Sequence, residues 1–530
     1  MNEHSAPPPA ARFLDFGSLR LRLLLLGLAA GLAAGLVSTL YRIILQKAEY
    51  FGASVLSGLH DGTLFSGILV AAFWMLGALV LGRMVKAEPL LSGSGIPQVE
   101  GELLGQISMN WGRVLLGKFV GGALAVGMGL SLGREGPSVQ LGAAAAKGFS
   151  RFLGRNRVEE RFLVTAGASA GLAAAFNAPL SGVMFALEEV HKNFSPFVLG
   201  SAMVASLSAD FLAKRFFGLS PVLYFARLEH LPLRFYGHFL ALGVLLGLCG
   251  ALFCRLVLEG QVFYAERLRI PPELRILIPA AGALLVGPLL PFILGGGHAL
   301  LEHLAAGGTP LSAAAILLAG KFAFTLRCFC SGAPGGIFFP MLAIGGAVGS
   351  VYALAASSFL PPGSDHLLNF LVVGMAGFFA AVVRAPLTGI LLILEMTGSL
   401  SHLLSVSAVV FVASVTAELL GARPVYESLL TRLLRRMHRR NYLAETEGKI
   451  LLEVSVCSGS ALDGERIRDI RLPRRCLLVS VIRGAAEILP SGETTILAGD
   501  RLVALVDEHR ARSVRESLLA LAGRCTSLGR

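Results

Sequence analysis

The segment SLGREGPSVQLG, residues 131–142, follows one apolar run, GGALAVGMGL (121–130), and runs into another, LGAAAA (141–146). Arg134 and Glu135 therefore stand side by side in chain that reads as membrane-embedded. A charge at the bilayer centre costs at least ~2.5–3.5 kcal/mol on insertion scales. A carboxylate kept at that cost needs a function or a dedicated partner. The glycines and proline around it break the helix at the charge itself.

Working outward, apolar runs near the length needed to cross a bilayer, ~17–25 residues, recur at 21–41, 66–85, 114–132, 196–213, 237–256, 276–294, 311–326, 341–358, 368–383 and 403–420. The 530 residues are 54% hydrophobic and 15% charged, with mean hydropathy +0.70. Soluble chains carry roughly 25% charge. The fold class expected is an α-helical polytopic membrane protein. Residues 1–19 read as an N-terminal cytoplasmic segment. The first apolar run is too long, and too poor in a small-residue cleavage site, for a removed signal peptide. The net charge of +12 gathers beside membrane segments, at Arg12, Arg20 and Arg22 and in TRLLRRMHRR (431–440). That placement predicts both termini on the cytoplasmic side and gives no sign of nucleic-acid binding.

Composition changes near 441. KILLEVSV (449–456), CLLVSVIR (476–483) and DRLVALVD (500–507) read as strands, and LDGERIRDI (462–470) and EHRARSVRESLLALAG (508–523) as helices. A small α+β domain is expected over 446–530, after a membrane domain over 20–440. The seven cysteines (249, 254, 328, 330, 457, 476, 525) show neither C-x-x-C pairing nor a histidine at ligand spacing, so no metal is expected.

The membrane domain repeats itself. LLGKF (115–119) recurs as LAGKF (318–322), and GREGP (133–137) stands after Lys118 as GIFFP (336–340) stands after Lys321. NAPLSGVMFALEEV (177–190) recurs as RAPLTGILLILEMT (384–397). Two homologous halves follow, about 20–220 and 235–430, inverted if each crosses an odd number of times. Within them GSGIP (93–97), GREGP and GGIFFP (335–340) interrupt apolar chain. Broken segments at matching places in two halves point to a transporter-type site. Helix N-termini carry free N–H groups and about half a positive charge, so several meeting in the membrane suit a small anion. Helix kinks or glycine-mediated packing are the alternative for any one break.

These motifs, GSGIPQVEG, GREGPSVQLG, GLAAAFNAPLSGVMFALEE, CSGAPGGIFFP, RAPLTGILLILEMT and ARPVYESLL, resemble the CLC family of chloride channels and chloride/proton antiporters. The resemblance covers roughly 20–435. It implies the CLC fold and a homodimer with one ion path per subunit. It also implies chloride held by the hydroxyls of Ser94 and Tyr426 and the N–H groups of Ile337 and Phe338. Glu135 would be the outer gate, a carboxylate that takes an anion's place until protonated. Glu189 would be the inner proton carrier. Within the repeat Glu188 aligns with Glu395 while Glu189 aligns with Met396, so Glu189 is the extra acid. A solvated helix-end acid is its alternative role. Ser94 implies chloride over nitrate.

Residues 455–507 resemble the TrkA-C domain of potassium-conductance regulators, through LDGERIRDIRLP and ILPSGETTILAGDRL. Such a domain serves as a dimerising appendage or takes a small ligand. No G-x-G-x-x-G turn accompanies it. The function expected is secondary-active chloride/proton antiport, with a passive chloride channel on the same fold as the alternative. The partners are chloride, protons and the lipid bilayer. No cofactor and no enzyme activity are expected, because no H-E-x-x-H or nucleophile–base pattern lies in the apolar region. Absence of paired CBS domains suggests a bacterial inner membrane.

Overall fold

The computed structural model describes residues 9–58, 64–192, 194–223, 225, 232–360, 366–437, 449–473, 476–484, 486–507 and 511–523. The chain divides into two compact units, Met1–Leu433 and Leu434–Arg530.

The first unit begins with α1 (Pro9–Ser57), α2 (Leu64–Ala87), α3 (Ile96–Leu103) and α4 (Trp111–Gly127). It continues through α5 (Glu135–Phe152), α6 (Arg157–Phe176), α7 (Pro179–Phe185) and α8 (Pro196–Phe217). The second half repeats the order: α9 (Tyr236–Val262), α10 (Leu277–Val286), α11 (His298–Ala305) and α12 (Leu311–Cys330). Then come α13 (Phe338–Ala355), α14 (Leu367–Val383), α15 (Pro386–Thr397) and α16 (Leu403–Leu419). α17 (Val425–Met437) follows without a counterpart. Among the described residues, seven helical segments are long and apolar enough to cross a membrane. Two apolar runs end earlier than the sequence reading expects. The run 114–132 stops helical at Gly127, and 276–294 stops at Val286, where Gly287 and Pro288 follow.

Local chemistry sets the boundaries. Asn110 and Asn156 cap α4 and α6 by accepting from Arg113 N (3.2 Å) and Glu159 N (2.8 Å). Proline occupies the first turn of α3, α7, α8 and α15, where its missing N–H costs nothing. α6 and α14 both end on a left-handed residue, Asn177 (φ 54°) and Arg384 (φ 68°), ahead of the repeated Ala-Pro-Leu. Helices α5 and α6 touch backbone to backbone. A Cβ on Gly142 would overlap the Gly167 carbonyl oxygen and stand 3.1 Å from Gly171 Cα. The second half uses the same device, Gly345 against the Gly374 carbonyl, to pack α13 on α14. Small residues at such interfaces permit the close approach that drives helix association in lipid.

The halves clasp each other reciprocally. Glu188, beyond α7, accepts from Thr388 N and Thr388 Oγ1, both at 2.8 Å, at the start of α15. Glu395, on α15, accepts from Leu180 N (3.0 Å) and Ser181 N (2.7 Å) at the start of α7. Each carboxylate caps the other half's helix, as two-fold-related surfaces do. The buried lysines follow the same rule. Lys118 donates to the carbonyls of Leu91 (2.9 Å) and Gly93 (2.6 Å), and Lys321 to those of Ile293 (3.1 Å) and Gly295 (2.7 Å).

The second unit carries a four-stranded antiparallel sheet with β1 (Lys449–Ser455), β2 (Cys476–Arg483), β3 (Ala486–Ile488) and β4 (Arg501–Asp507) in the order β1-β4-β2-β3. α18 (Ala511–Ala522) packs Val514 and Leu518 onto Val481, Leu502 and Val506. The helix expected over 462–470 is absent except for a 3-10 turn at Ile467–Asp469. Its backbone pairs instead with the chain beside it: Gly464 N donates to Ile496 O (2.8 Å) and Ile467 N to Thr494 O (3.0 Å).

Candidate functional site

The three broken segments meet and are stitched by backbone. Gly133 and Gly336 exchange hydrogen bonds of 2.6 and 2.9 Å, and Gly335 N donates to Gly93 O at 3.1 Å. The starts of α3, α5 and α13 therefore lie together. Gly95 (φ 95°) turns the chain into α3 in a conformation few other residues adopt. Gly136 brings α5 onto Ser94: a Cβ there would stand 2.8 Å from Ser94 O and 2.9 Å from Ser94 Cβ. Gly336 in turn lies against Gly136.

At this junction Ser94 is buried, and its Oγ accepts from Ile96 N at 3.4 Å, which leaves the hydroxyl hydrogen for another acceptor. Ile337 and Phe338, both fully buried, open α13, where the helix offers their N–H groups no carbonyl. Phe338 stands among Phe176, Phe185 and Phe379, with ring centroids 5.3, 5.7 and 4.7 Å away. These rings give the N-terminus dry walls, in which a partial positive charge acts over a longer reach. Tyr426, on α17, is fully buried and its hydroxyl has no hydrogen-bond partner among the described residues. An orphaned buried donor of this kind fits an anion that the protein itself does not supply.

Glu135 is the first residue of α5 and 1% exposed. Its Oε1 is 3.7 Å from Arg134 Nε. Its Oε2 faces Gly133, which also lies against Phe339 N, and has no hydrogen-bond partner among the described residues. The carboxylate thus sits where an anion would sit, at the starts of α5 and α13. A cavity of about 270 Å³ opens onto it, lined also by Arg42, Glu49, Arg134, His298 and Phe339. Arg42 is anchored by a 2.7 Å bond to Asn177 Oδ1.

Glu189 lies in a widened π-turn, Ala186–Val190, and its Oε1 is buried without a partner among the described residues. Lys192, Glu100 and Glu427 surround it electrostatically, and Lys192 pairs with Glu100 at 2.5 Å. Glu189 is 5% exposed, which argues against a solvated helix-end acid. Glu188, one residue earlier, is committed to the α15 cap described above.

The sequence reading passed over a fourth break. GGGH (295–298) leads into α11 as GSGI leads into α3, with Gly297 (φ 110°) matching Gly95. Its position ahead of Lys321 equals that of Gly95 ahead of Lys118 to within one residue, which was the available signal. It brings His298 to the Glu135 cavity.

A model described as voltage gated chloride channel matches residues 73–418. The chain belongs to the CLC family. A TrkA-C domain model matches residues 451–519. Among CLC proteins, the H(+)/Cl(-) exchange transporter ClcA of Vibrio cholerae serotype O1 is 37% identical over 377 residues, 70% of this chain and 80% of its own. ClcA of Citrobacter koseri is 35% identical over 375 residues, covering 69% and 78%. The crystal structure of a slow cyanobacterial Cl−/H+ antiporter superposes with TM-score 0.72 at 31% identity, over 79% of this chain and 99% of that one. A eukaryotic CLC transporter at 24% identity shares the fold, with TM-score 0.64 over 78% and 74% of the two chains.

Proposed function

We propose that this CLC protein exchanges chloride for protons across a membrane. Two buried carboxylates, Glu135 and Glu189, each with an oxygen lacking a hydrogen-bond partner among the described residues, together with the orphaned Tyr426 hydroxyl, carry this reading. Chloride is bound by the hydroxyls of Ser94 and Tyr426 and by the N–H groups of Ile337 and Phe338. Glu135 competes with chloride for the helix N-termini. When it takes a proton its charge is gone, and chloride enters the vacated place. The proton then passes between Glu135 and Glu189, which meets the opposite solution beside Lys192 and Glu100. Chloride and proton binding are thereby linked, and movement of one down its gradient drives the other.

Both ClcA relatives described above are exchangers by name, which favours antiport over a passive channel. Chloride is substrate, and no cofactor takes part. We place both termini in the cytoplasm of a bacterial inner membrane, from the basic flanks at 20–22 and 431–440. Two copies assemble with separate ion paths, and the TrkA-C unit adds to that dimer or takes a small ligand.

The test is proton movement in proteoliposomes under an imposed chloride gradient, with voltage clamped by potassium and valinomycin. Uphill proton movement is expected. Chloride flux without proton movement would make the protein a channel and return Glu189 to a structural role.

A further inference from the structure

A second cavity, of about 880 Å³, opens between α9, α10, α12 and α17, with no lining residue in common with the Glu135 cavity. Phe263, Leu268, Ile278 and Leu326 give it apolar walls. Leu245, Leu248 and Leu252 are exposed on α9 beside it, a surface that meets acyl chains when the protein is in a bilayer. The groove is therefore open to lipid.

Three arginines stand in it: Arg267, Arg327 and Arg432. Arg267 and Arg327 are exposed and have no ion-pair partner among the described residues. They come from different elements that are tied together, because the Tyr264 hydroxyl donates to Arg327 O at 3.4 Å. Arg432 donates to the Leu258 carbonyl and so is held at the groove. One acid, Glu259, also lines it, but Arg255 on the same helix pairs with Glu259 at 2.7 Å. Arg267 and Arg327 thus leave the groove with excess positive charge above an apolar wall.

We propose that this groove binds an anionic phospholipid, with its phosphate on Arg267, Arg327 and Arg432 and an acyl chain along the apolar wall. Guanidinium forks match phosphate oxygens in pairs, and basic pockets between membrane helices hold acidic headgroups. Arg432 and Tyr426 are on the same short helix, α17. Lipid occupancy therefore bears on the element that presents the chloride-site hydroxyl, and it tunes transport rate from outside the ion path.

The experiment is native mass spectrometry of the full-length protein in detergent, titrated with dioleoylphosphatidylglycerol or with dioleoylphosphatidylcholine. Bound phosphatidylglycerol is expected at several-fold lower lipid concentration than bound phosphatidylcholine. The Arg267→Gln/Arg327→Gln variant is expected to lose that preference while keeping chloride flux in phosphatidylcholine vesicles. Each single variant is expected to lose part of it, which covers the case of a misfolded double variant. Equal binding of the two lipids overturns the proposal, as does a preference unchanged in the variants. Inorganic phosphate that displaces phosphatidylglycerol at comparable concentration overturns it too, by reassigning the groove to free phosphate. Lipid binding is read without reference to proton coupling, so the outcome is independent of the antiport reading.

Discussion

Glu135→Gln should separate chloride movement from proton movement. Glutamine keeps the shape of the side chain and removes the charge proposed to compete with chloride at the starts of α5 and α13. The structure bounds what that charge is worth. At 3.7 Å from Arg134 Nε, a full pair contributes about 4 kcal/mol at an effective dielectric near 20 and about 1 kcal/mol in water. The Arg134 side chain is 17% exposed, so the value falls between these limits. Chloride entering the wild-type site must displace a carboxylate held to that extent. Neutralising it should tighten chloride binding by about 1–3 kcal/mol, roughly 5–150-fold, the usual span of a coupling energy. Isothermal titration calorimetry of the purified protein reads this directly. Wild-type affinity should rise as pH falls, because protonation removes the competing charge. The glutamine variant should bind independently of pH and as tightly as wild type at its most acid limit. In proteoliposomes it should pass chloride and leave protons behind. An affinity within about twofold of wild type, below the fivefold floor of that span, would refute the competition argument, and so would uphill proton movement in the variant.

Glu189→Met, which installs the residue found at the matching place in the second half, should keep chloride flux and abolish proton uptake in the same vesicles. Proton pumping that survives would route the inner path elsewhere. Gly136→Ala presses a methyl group to 2.8 Å from Ser94 O; overpacking of this kind costs about 1–3 kcal/mol, and calorimetry should show weakened chloride binding with an unchanged size-exclusion profile. Unchanged binding would disconnect Ser94 from the ion. In the C-terminal unit, Asp500 accepts two 2.8 Å bonds from Arg483, and these hold its carboxyl below the usual carboxylate range. A depressed native value means that this stabilisation is present above the ordinary carboxylate pKa and fades as pH falls through the native one. Hydrogen exchange of β2 and β4 in the full chain should therefore lose protection on acidification in wild type and much less so in Asp500→Asn. Equal acid sensitivity would contradict the assignment.

Much of this fold could be read from periodic apolar runs, because lipid forces long uninterrupted helices on the segments that touch it. The runs that escaped were those that lipid does not touch. Helix α6 is buried without a break from Leu163 to Phe176, and α5 and α6 are rich in glycine and alanine, so low hydropathy there reflects close packing and not exposure. The fourth break escaped because GGGH carries no proline. Ser94, Glu135, Ile337 and Phe338 could be placed at helix starts from glycine and proline alone. The burial of Tyr426 could not, since it depends on α17 packing back onto α3, where Leu430 meets Gly101. In the C-terminal unit the strands were evident from their β-branched and apolar runs. The 462–470 segment was misjudged because long-range pairing with 491–496 outweighed its local helix propensity.

The repeat also separates support from mechanism. Lys118 and Lys321 satisfy carbonyls at the turns into α3 and α11, Glu188 and Glu395 cap each other's half, and Gly142 and Gly345 pack equivalent helix pairs. Every one of these devices occurs twice, and each serves the backbone. The acids assigned to proton transfer occur once. In the register of GREGP and GIFFP, Glu135 stands opposite Phe338, and in that of LEE and LEM, Glu189 stands opposite Met396. A two-fold arrangement of helix N-termini makes an anion site but gives it no means of sensing protons. Breaking the symmetry at two positions supplies that means. At the first, the carboxylate proposed to take the anion's place has as its counterpart Phe338, whose ring walls the site. At the second, an acid stands where the other half has a buried methionine, a side chain that cannot take up a proton. On the proposed mechanism, coupling resides in the differences between the halves, and making the second position symmetric, as Glu189→Met does, should leave the protein with chloride transport alone.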